Sequence, residues 1–369
     1  MKSPLNLLGR RTPQSPQKTG VQTADHIARA LSAAGLDRAG GGALRHTIDR
    51  ALADAGLLRD DASAPAHPAS SPYQPAAQRA VAPQTPGRGQ ILHASYANVH
   101  GRRDYRLYLP ADYRADGEPQ PLIMMLHGCT QSAEDFAIGT GMNALADRHG
   151  FLVAYPQQTA QANQAKCWNW FRPEDQQGDA GEPAILAGIA RQAARDHRVD
   201  LDRIFVAGLS AGAAMAVVLG RTRPDLVRAI GVHSGLPYAS AADVPSAFAA
   251  MQGRGSAPPR ASTATPLPVP MILFHGDEDR TVAPSNADAL TAASVRPGLR
   301  VTVETGRAAG GKTYARELAV DQAGTRWLER WTVHGAGHAW SGGDPAGSYT
   351  EPAGPDASAA MVEFFLRQR

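Results

Sequence analysis

Apolar residues along this chain gather in short runs, separated by stretches in which they recur at helical spacing. Residues 121–127, 151–156, 204–207 and 271–275 are nearly unbroken apolar runs of strand length, as expected for strands covered on both faces of a parallel sheet. Residues 227–233 read the same way, and 301–304 and 326–333 are weaker strand candidates. Residues 141–149, 183–198 and 211–219 have helical length and spacing. The stretch 354–369, with Met361, Phe364, Phe365 and Leu366, predicts an amphipathic closing helix. Earlier in the chain, Tyr105, Leu107 and Leu109 alternate with polar neighbours, marking one arm of a hairpin turned at His100-Gly101. Strands and helices alternating at this spacing predict an α/β fold built on a doubly wound, mostly parallel sheet. In such a sheet the working site lies beyond the carboxyl ends of the strands.

The pattern changes towards the N-terminus, and four regions are expected. Residues 1–20 read as disordered. In 21–58, His26-Ile-Ala-Arg-Ala-Leu-Ser-Ala-Ala-Gly-Leu36 resembles Thr47-Ile-Asp-Arg-Ala-Leu-Ala-Asp-Ala-Gly-Leu57. Each copy ends at a glycine suited to a helix C-cap, so a small helical hairpin joined through Gly40-Gly-Gly42 is expected. Such a hairpin is too short to be stable alone, and contact with a partner or a polymer granule is one role for it. Residues 59–89 are rich in Ala, Pro, Ser and Gln and read as a semi-extended linker. Residues 90–369 are the expected catalytic domain.

Composition narrows the function. The chain has 369 residues, 43% of them hydrophobic, and a net charge of +3 with Lys and Arg scattered. No nucleic-acid footprint is visible. No run of 18 apolar residues exists, so a membrane-spanning helix is not expected. The stretch from Met1 to Pro13 lacks the apolar segment of a secretory signal. Cys129 and Cys167 are the two cysteines; by themselves they make neither a disulfide framework nor a zinc site, and either one bridge or two thiols is open.

The chemistry centres on Gly208-Leu-Ser-Ala-Gly212, placed between the 204–207 strand and the 211–219 helix. A G-x-S-x-G turn of this kind is a nucleophile elbow. Its serine has an unfavourable backbone conformation, and glycines on either side remove Cβ atoms that would collide. A nucleophilic Ser210 needs a base, and the base needs an orienting acid. After the 271–275 strand, the turn Gly276-Asp-Glu-Asp-Arg-Thr-Val282 carries carboxylates. Asp279 is the favoured acid because it stands deeper in the loop, with Asp277 as the runner-up. In Trp331-Thr-Val-His-Gly-Ala-Gly-His338, the glycines allow a sharp turn after a strand that would present His338 as the base. His334, closer to the strand, reads as structural. The chain order Ser, Asp, His is that of α/β-hydrolase sheets. An oxyanion hole would draw one amide from Ala211 and one from Cys129 in the loop after the 122–126 strand. Trp168, Trp170 and Trp340 stand near these motifs and are candidates for lining a substrate pocket.

Leu126-His-Gly-Cys-Thr-Gln131, Cys167-Trp-Asn-Trp-Phe171, Gly208-Leu-Ser-Ala-Gly-Ala-Ala-Met215, His275-Gly-Asp-Glu-Asp-Arg-Thr-Val282 and Gly337-His-Ala-Trp-Ser-Gly-Gly343 together resemble esterases of the polyhydroxybutyrate depolymerase type. These are α/β-hydrolases related to feruloyl and acetylxylan esterases. The resemblance covers about residues 90–369. It implies Ser210, Asp279 and His338 as the triad, Cys129 in the oxyanion loop, and a disulfide joining Cys129 to Cys167. It also implies hydrolysis of a small or oligomeric carboxylic ester through an acyl-enzyme, with no metal or organic cofactor. It points to an extracellular setting, whereas the N-terminus points to a cytoplasmic one. Feruloyl or acetylxylan-type esterase activity, acyl transfer to another alcohol, and a catalytically silent binding protein are the competing readings.

Overall fold

The computed structural model describes residues 87–254 and 265–368. The N-terminal segment, the hairpin expected over 21–58 and the linker up to residue 86 lie outside the described residues.

A ten-stranded sheet runs through the described domain in the order β1-β2-β4-β3-β5-β6-β7-β10-β9-β8. Strands β1 (Gln90–Asn98) and β2 (Gly101–Leu109) form the predicted hairpin, with Asn98 opposite Gly101 at its turn. Gly101 has φ 130, a value that glycine tolerates and most residues do not. The centre of the sheet is parallel and consists of β4 (Leu152–Pro156), β3 (Gln120–Leu126), β5 (Val199–Leu209), β6 (Ala229–His233), β7 (Met271–Gly276) and β10 (Arg326–Val333). On the far side, β9 (Thr313–Val320) and β8 (Arg300–Arg307) add an antiparallel arm.

The unbroken apolar runs follow from burial on both faces. Successive strand residues point to opposite sides, so Leu122, Met124 and Leu126 join one core while Ile123 and Met125 join the other. The first core is covered by α3 (Gly181–Asp196) and α4 (Ala211–Thr222). The second is covered by α1 (Ala133–Thr140), α2 (Met142–His149) and the closing helix α7 (Ala357–Leu366). Two further helices, α5 (Val244–Met251) and α6 (Ser285–Ser294), a 3₁₀ turn (Pro173–Gln176) and a small parallel pair, β11 (Trp340–Ser341) and β12 (Thr350–Glu351), complete the described elements. Within the described residues the predicted strands and helices fall within a few residues of their expected positions. Helix α1, helices α5 and α6, and strand β9 had no counterpart in the sequence reading.

Candidate active site

The register of the parallel strands brings the chemistry to one edge. Leu209 at the end of β5 is level with His233 of β6, Phe274 of β7 and Trp331 of β10. Each strand then gives way to a loop on the same side of the sheet. Ser210 follows β5, Asp279 follows β7 and His338 follows β10.

Ser210 has φ 57 and ψ −118, a combination that costs a non-glycine residue of order 1–3 kcal/mol and persists only where the surroundings enforce it. Here the Ser210 N–H donates to the His233 carbonyl at 2.9 Å, which fixes the turn from the neighbouring strand. A Cβ on Gly208 would stand 2.5 Å from the Gly212 carbonyl carbon, and one on Gly212 would stand 2.1 Å from the Leu126 carbonyl oxygen. Helix α4 can start this close to β3 only because both positions lack a side chain. The Ser210 side chain does not turn back to cap α4.

His338 Nδ1 donates to Asp279 Oδ2 at 2.7 Å, leaving Nε2 as the nitrogen available to a reacting group. The Asp279 Oδ1 atom accepts the amides of Thr281 and Val282, each at 2.9 Å. Burial works to raise the Asp279 carboxyl. The bond from His338, its proximity and the Val282 amide outweigh that and hold the carboxyl below the ordinary aspartate value. Asp277, the runner-up acid, is paired instead with the structural His334: His334 Nδ1 lies 2.8 Å from Asp277 Oδ2, and the Gly335 amide donates to Asp277 Oδ1 at 2.7 Å.

Three further histidines, which the sequence reading did not single out, stand at the same strand ends and are buried. His233 Nε2 accepts the Ser341 amide at 3.0 Å, and burial pushes this histidine down to about 3. His275 Nε2 lies 2.9 Å from the Val282 carbonyl and 3.5 Å from Asp279 Oδ2. Burial lowers it as well. It therefore braces the Asp279 loop as a neutral ring. His127 follows β3 directly. The signal in the sequence was a histidine ending three of the buried apolar runs, 121–127, 227–233 and 271–275.

Cys129 and Cys167 are joined in a disulfide, tying the loop after β3 to the Trp168-Asn169-Trp170 segment. That segment is anchored by Glu182 at the start of α3, which accepts the Asn169 amide at 2.7 Å and pairs with Arg103 at 3.0 Å. The Thr130 amide donates to Ala165 O, and the Thr130 hydroxyl lies 3.3 Å from the Tyr349 hydroxyl. The Ala211 amide lies in the first turn of α4, where N–H groups have no acceptor within the helix.

The tryptophans require a correction. Trp168 and Trp340 were expected to line a substrate pocket, but neither reaches a solvent-facing surface. Trp168 packs beside the His127 ring, and Trp340 lies between His233 and Phe136 with its Nε1 donating to Ser358 Oγ at 3.0 Å. Trp170 is also buried and packs edge-on against Phe171. Large rings beneath a strand-end site fill the volume that keeps its loops rigid.

A model of the family described as esterase PHB depolymerase matches residues 103–317. The chain is similar to poly(3-hydroxyalkanoate) depolymerase C of Paucimonas lemoignei, with 33% identity over 59% of this chain and 54% of that protein. It is also similar to feruloyl esterase B of Thermothelomyces thermophilus, with 28% identity over 50% of this chain and 67% of that protein. The chain thus spans about half the length of the depolymerase it matches. Among solved structures, an acetyl xylan esterase from Aspergillus awamori shares the fold, with a TM-score of 0.57 at 17% identity, over 75% of this chain and 99% of that one.

Proposed function

The chain belongs to the esterase family of the PHB depolymerase type, whose model covers more than half of it, and we propose that it hydrolyses carboxylic esters through an acyl-enzyme on Ser210. The observation that carries this reading is that a serine in a strained turn and a histidine hydrogen-bonded to a buried carboxylate follow parallel strands of one sheet on the same side. In this reading His338 Nε2 takes the Ser210 proton as Oγ attacks the ester carbonyl. Asp279 keeps the imidazole proton on Nδ1 and balances the charge that forms on the ring. The amides of Ala211 and Cys129 receive the oxyanion. Collapse of the tetrahedral species expels the alcohol, which takes its proton from His338. Water, activated by the same ring, then releases the acid.

For the substrate we favour short hydroxyalkanoate esters or oligomers, which share the ester linkage of the poly(3-hydroxyalkanoate) in the depolymerase relative's name. The experiment is a comparison of acid release from 3-hydroxybutyrate oligomers, methyl ferulate and acetylated xylan by the full-length protein. Faster turnover of the oligomers supports the proposal. A preference for the ferulate or the xylan moves the substrate to plant-derived esters while leaving the mechanism in place. Release from none of these substrates, nor from p-nitrophenyl butyrate, counts against an active esterase and favours a binding role.

A further inference from the structure

The value of an oxyanion donor depends on which way a single peptide group faces. For Cys129 that is the peptide joining Gly128 to Cys129, and two side chains outside the triad govern its setting. Resting on the esterase reading above, we infer that His127 is a positioning residue whose ring fixes the direction of the Cys129 amide.

The argument starts from the protons on His127. The Gln158 backbone N–H points at His127 Nε2 from 3.1 Å, and because a backbone amide only donates, Nε2 carries the lone pair. The ring proton is therefore on Nδ1, which stands 2.7 Å from the Gly128 carbonyl oxygen and donates to it. In a trans peptide the C=O and N–H lie on opposite sides. Holding the Gly128 oxygen on the His127 ring turns the Cys129 N–H away from that ring. Among the described residues this amide has no hydrogen-bond partner, the condition required of a donor kept for a substrate oxygen. The loop lies against the residue before the elbow serine: a Cβ on Gly128 would be 3.6 Å from Leu209 O.

The preceding peptide is fixed separately. The Gly128 N–H donates to Gln131 Oε1 at 2.9 Å, and Gln131 Nε2 is held by Asp135 Oδ2 at 2.9 Å and Ser348 O at 3.1 Å. Gln158 is itself anchored, its side chain donating to Cys167 O and to Glu182. The lone pair on His127 Nε2 is thus imposed by a backbone that does not move freely. Burial adds to this by lowering His127 to about 4, so the ring stays neutral at ordinary assay pH.

Two substitutions separate donor from acceptor. In His127→Asn the side-chain amide takes the place of Nδ1 and still donates to the Gly128 oxygen. In His127→Gln the amide takes the place of Nε2 and preserves only the acceptor. With p-nitrophenyl butyrate, His127→Gln is expected to lose about 10²-fold in kcat with KM within about twofold, the pattern of an interaction made only in the transition state. Its affinity for a trifluoromethyl ketone, which forms a tetrahedral oxyanion adduct on the serine, should fall by the same factor. His127→Asn should stay within about tenfold of wild type on both measures. Wild-type kcat and ketone affinity in His127→Gln would overturn the inference, as would equal losses in the two variants accompanied by a matching rise in KM. If His127→Gln does not fold, His127→Asn decides: ketone affinity within about tenfold supports the role, and a loss near 10²-fold removes it. Failure of the underlying esterase reading looks different, because wild type would then be no faster than Ser210→Ala.

Discussion

Two aspartate–histidine pairs hang from the same two strands, β7 and β10, and their hydrogen bonds are almost the same length. Asp279 and His338 meet at 2.7 Å with side chains 0% and 12% exposed, while Asp277 and His334 meet at 2.8 Å with side chains 39% and 44% exposed. The bond lengths do not separate them; the surroundings do. An exposed pair is screened by water and contributes about 0–1 kcal/mol. A buried carboxylate keeps its charge only through the bonds it accepts, so its interaction with the imidazole is stronger and directional. Asp277 also spends its second oxygen on the Gly335 amide, stitching one loop to the next. The outer pair reads as a clasp holding the inner pair in place.

The sharpest way to break this comparison is to remove what only the inner pair serves. Ser210→Ala is expected to lower kcat on p-nitrophenyl butyrate by on the order of 10⁴–10⁶-fold, with an unchanged melting temperature or a small gain from relief of the strained turn. A next effect concerns the loop facing the elbow. The disulfide closes a segment with a sequence separation of 38, for which the chain-entropy relation gives about 4 kcal/mol. Cys167→Ser should lower the denaturation midpoint accordingly and reduce kcat more than it raises KM, because the Cys129 amide loses part of its support.

The low-pH limb of stability provides a smaller test. Both Asp277 and Asp279 titrate below the ordinary carboxyl value, against the upward push of burial, because of their histidine partners. A depressed carboxyl contributes stability that is present above the unfolded value of about 3.9 and is lost as pH falls through the lower folded value. Asp279→Asn should therefore flatten the fall of melting temperature below about pH 4, and Asp277→Asn should flatten it less because that group is screened. The smallest effect is expected from His334→Ala, which should change kcat by less than about threefold and stability by about 0–1 kcal/mol.

Much of the domain was legible because its strands are buried on both faces and its punctuation is chemical. The runs that became β3, β5 and β7 needed no alternation to be seen, and the glycines of the elbow marked a strand-to-helix turn too tight for side chains. Strand β9 was hidden because Arg316 and Glu317 interrupt its apolar pattern. The fold neutralises Arg316 through Glu329 on β10, at 2.9 Å, and no single segment reveals such a partner. Helix α6, with its small and polar residues, gives little periodic signal, and its buried face is set by the sheet it covers. At the site, chain order and strand-end position were enough to expect Asp279 beside His338, and the two are hydrogen-bonded. The bracing histidines were not expected, because His233 is bonded by the Ser341 amide from far along the chain, and His275 by the fold-back of the turn that follows it. The tryptophans misled for a related reason: nearness in sequence to a motif does not say which side of the loop a ring faces.

The most direct test of the central claim is the ratio of kcat for Asp277→Asn to kcat for Asp279→Asn, measured on p-nitrophenyl butyrate at neutral pH. If the buried pair drives the chemistry and the exposed pair only clasps the loops, the ratio should be on the order of 10³–10⁴, with Asp277→Asn within a few-fold of wild type. A ratio near one, or a larger loss in Asp277→Asn, would contradict the account and return the choice of catalytic acid to the outer pair.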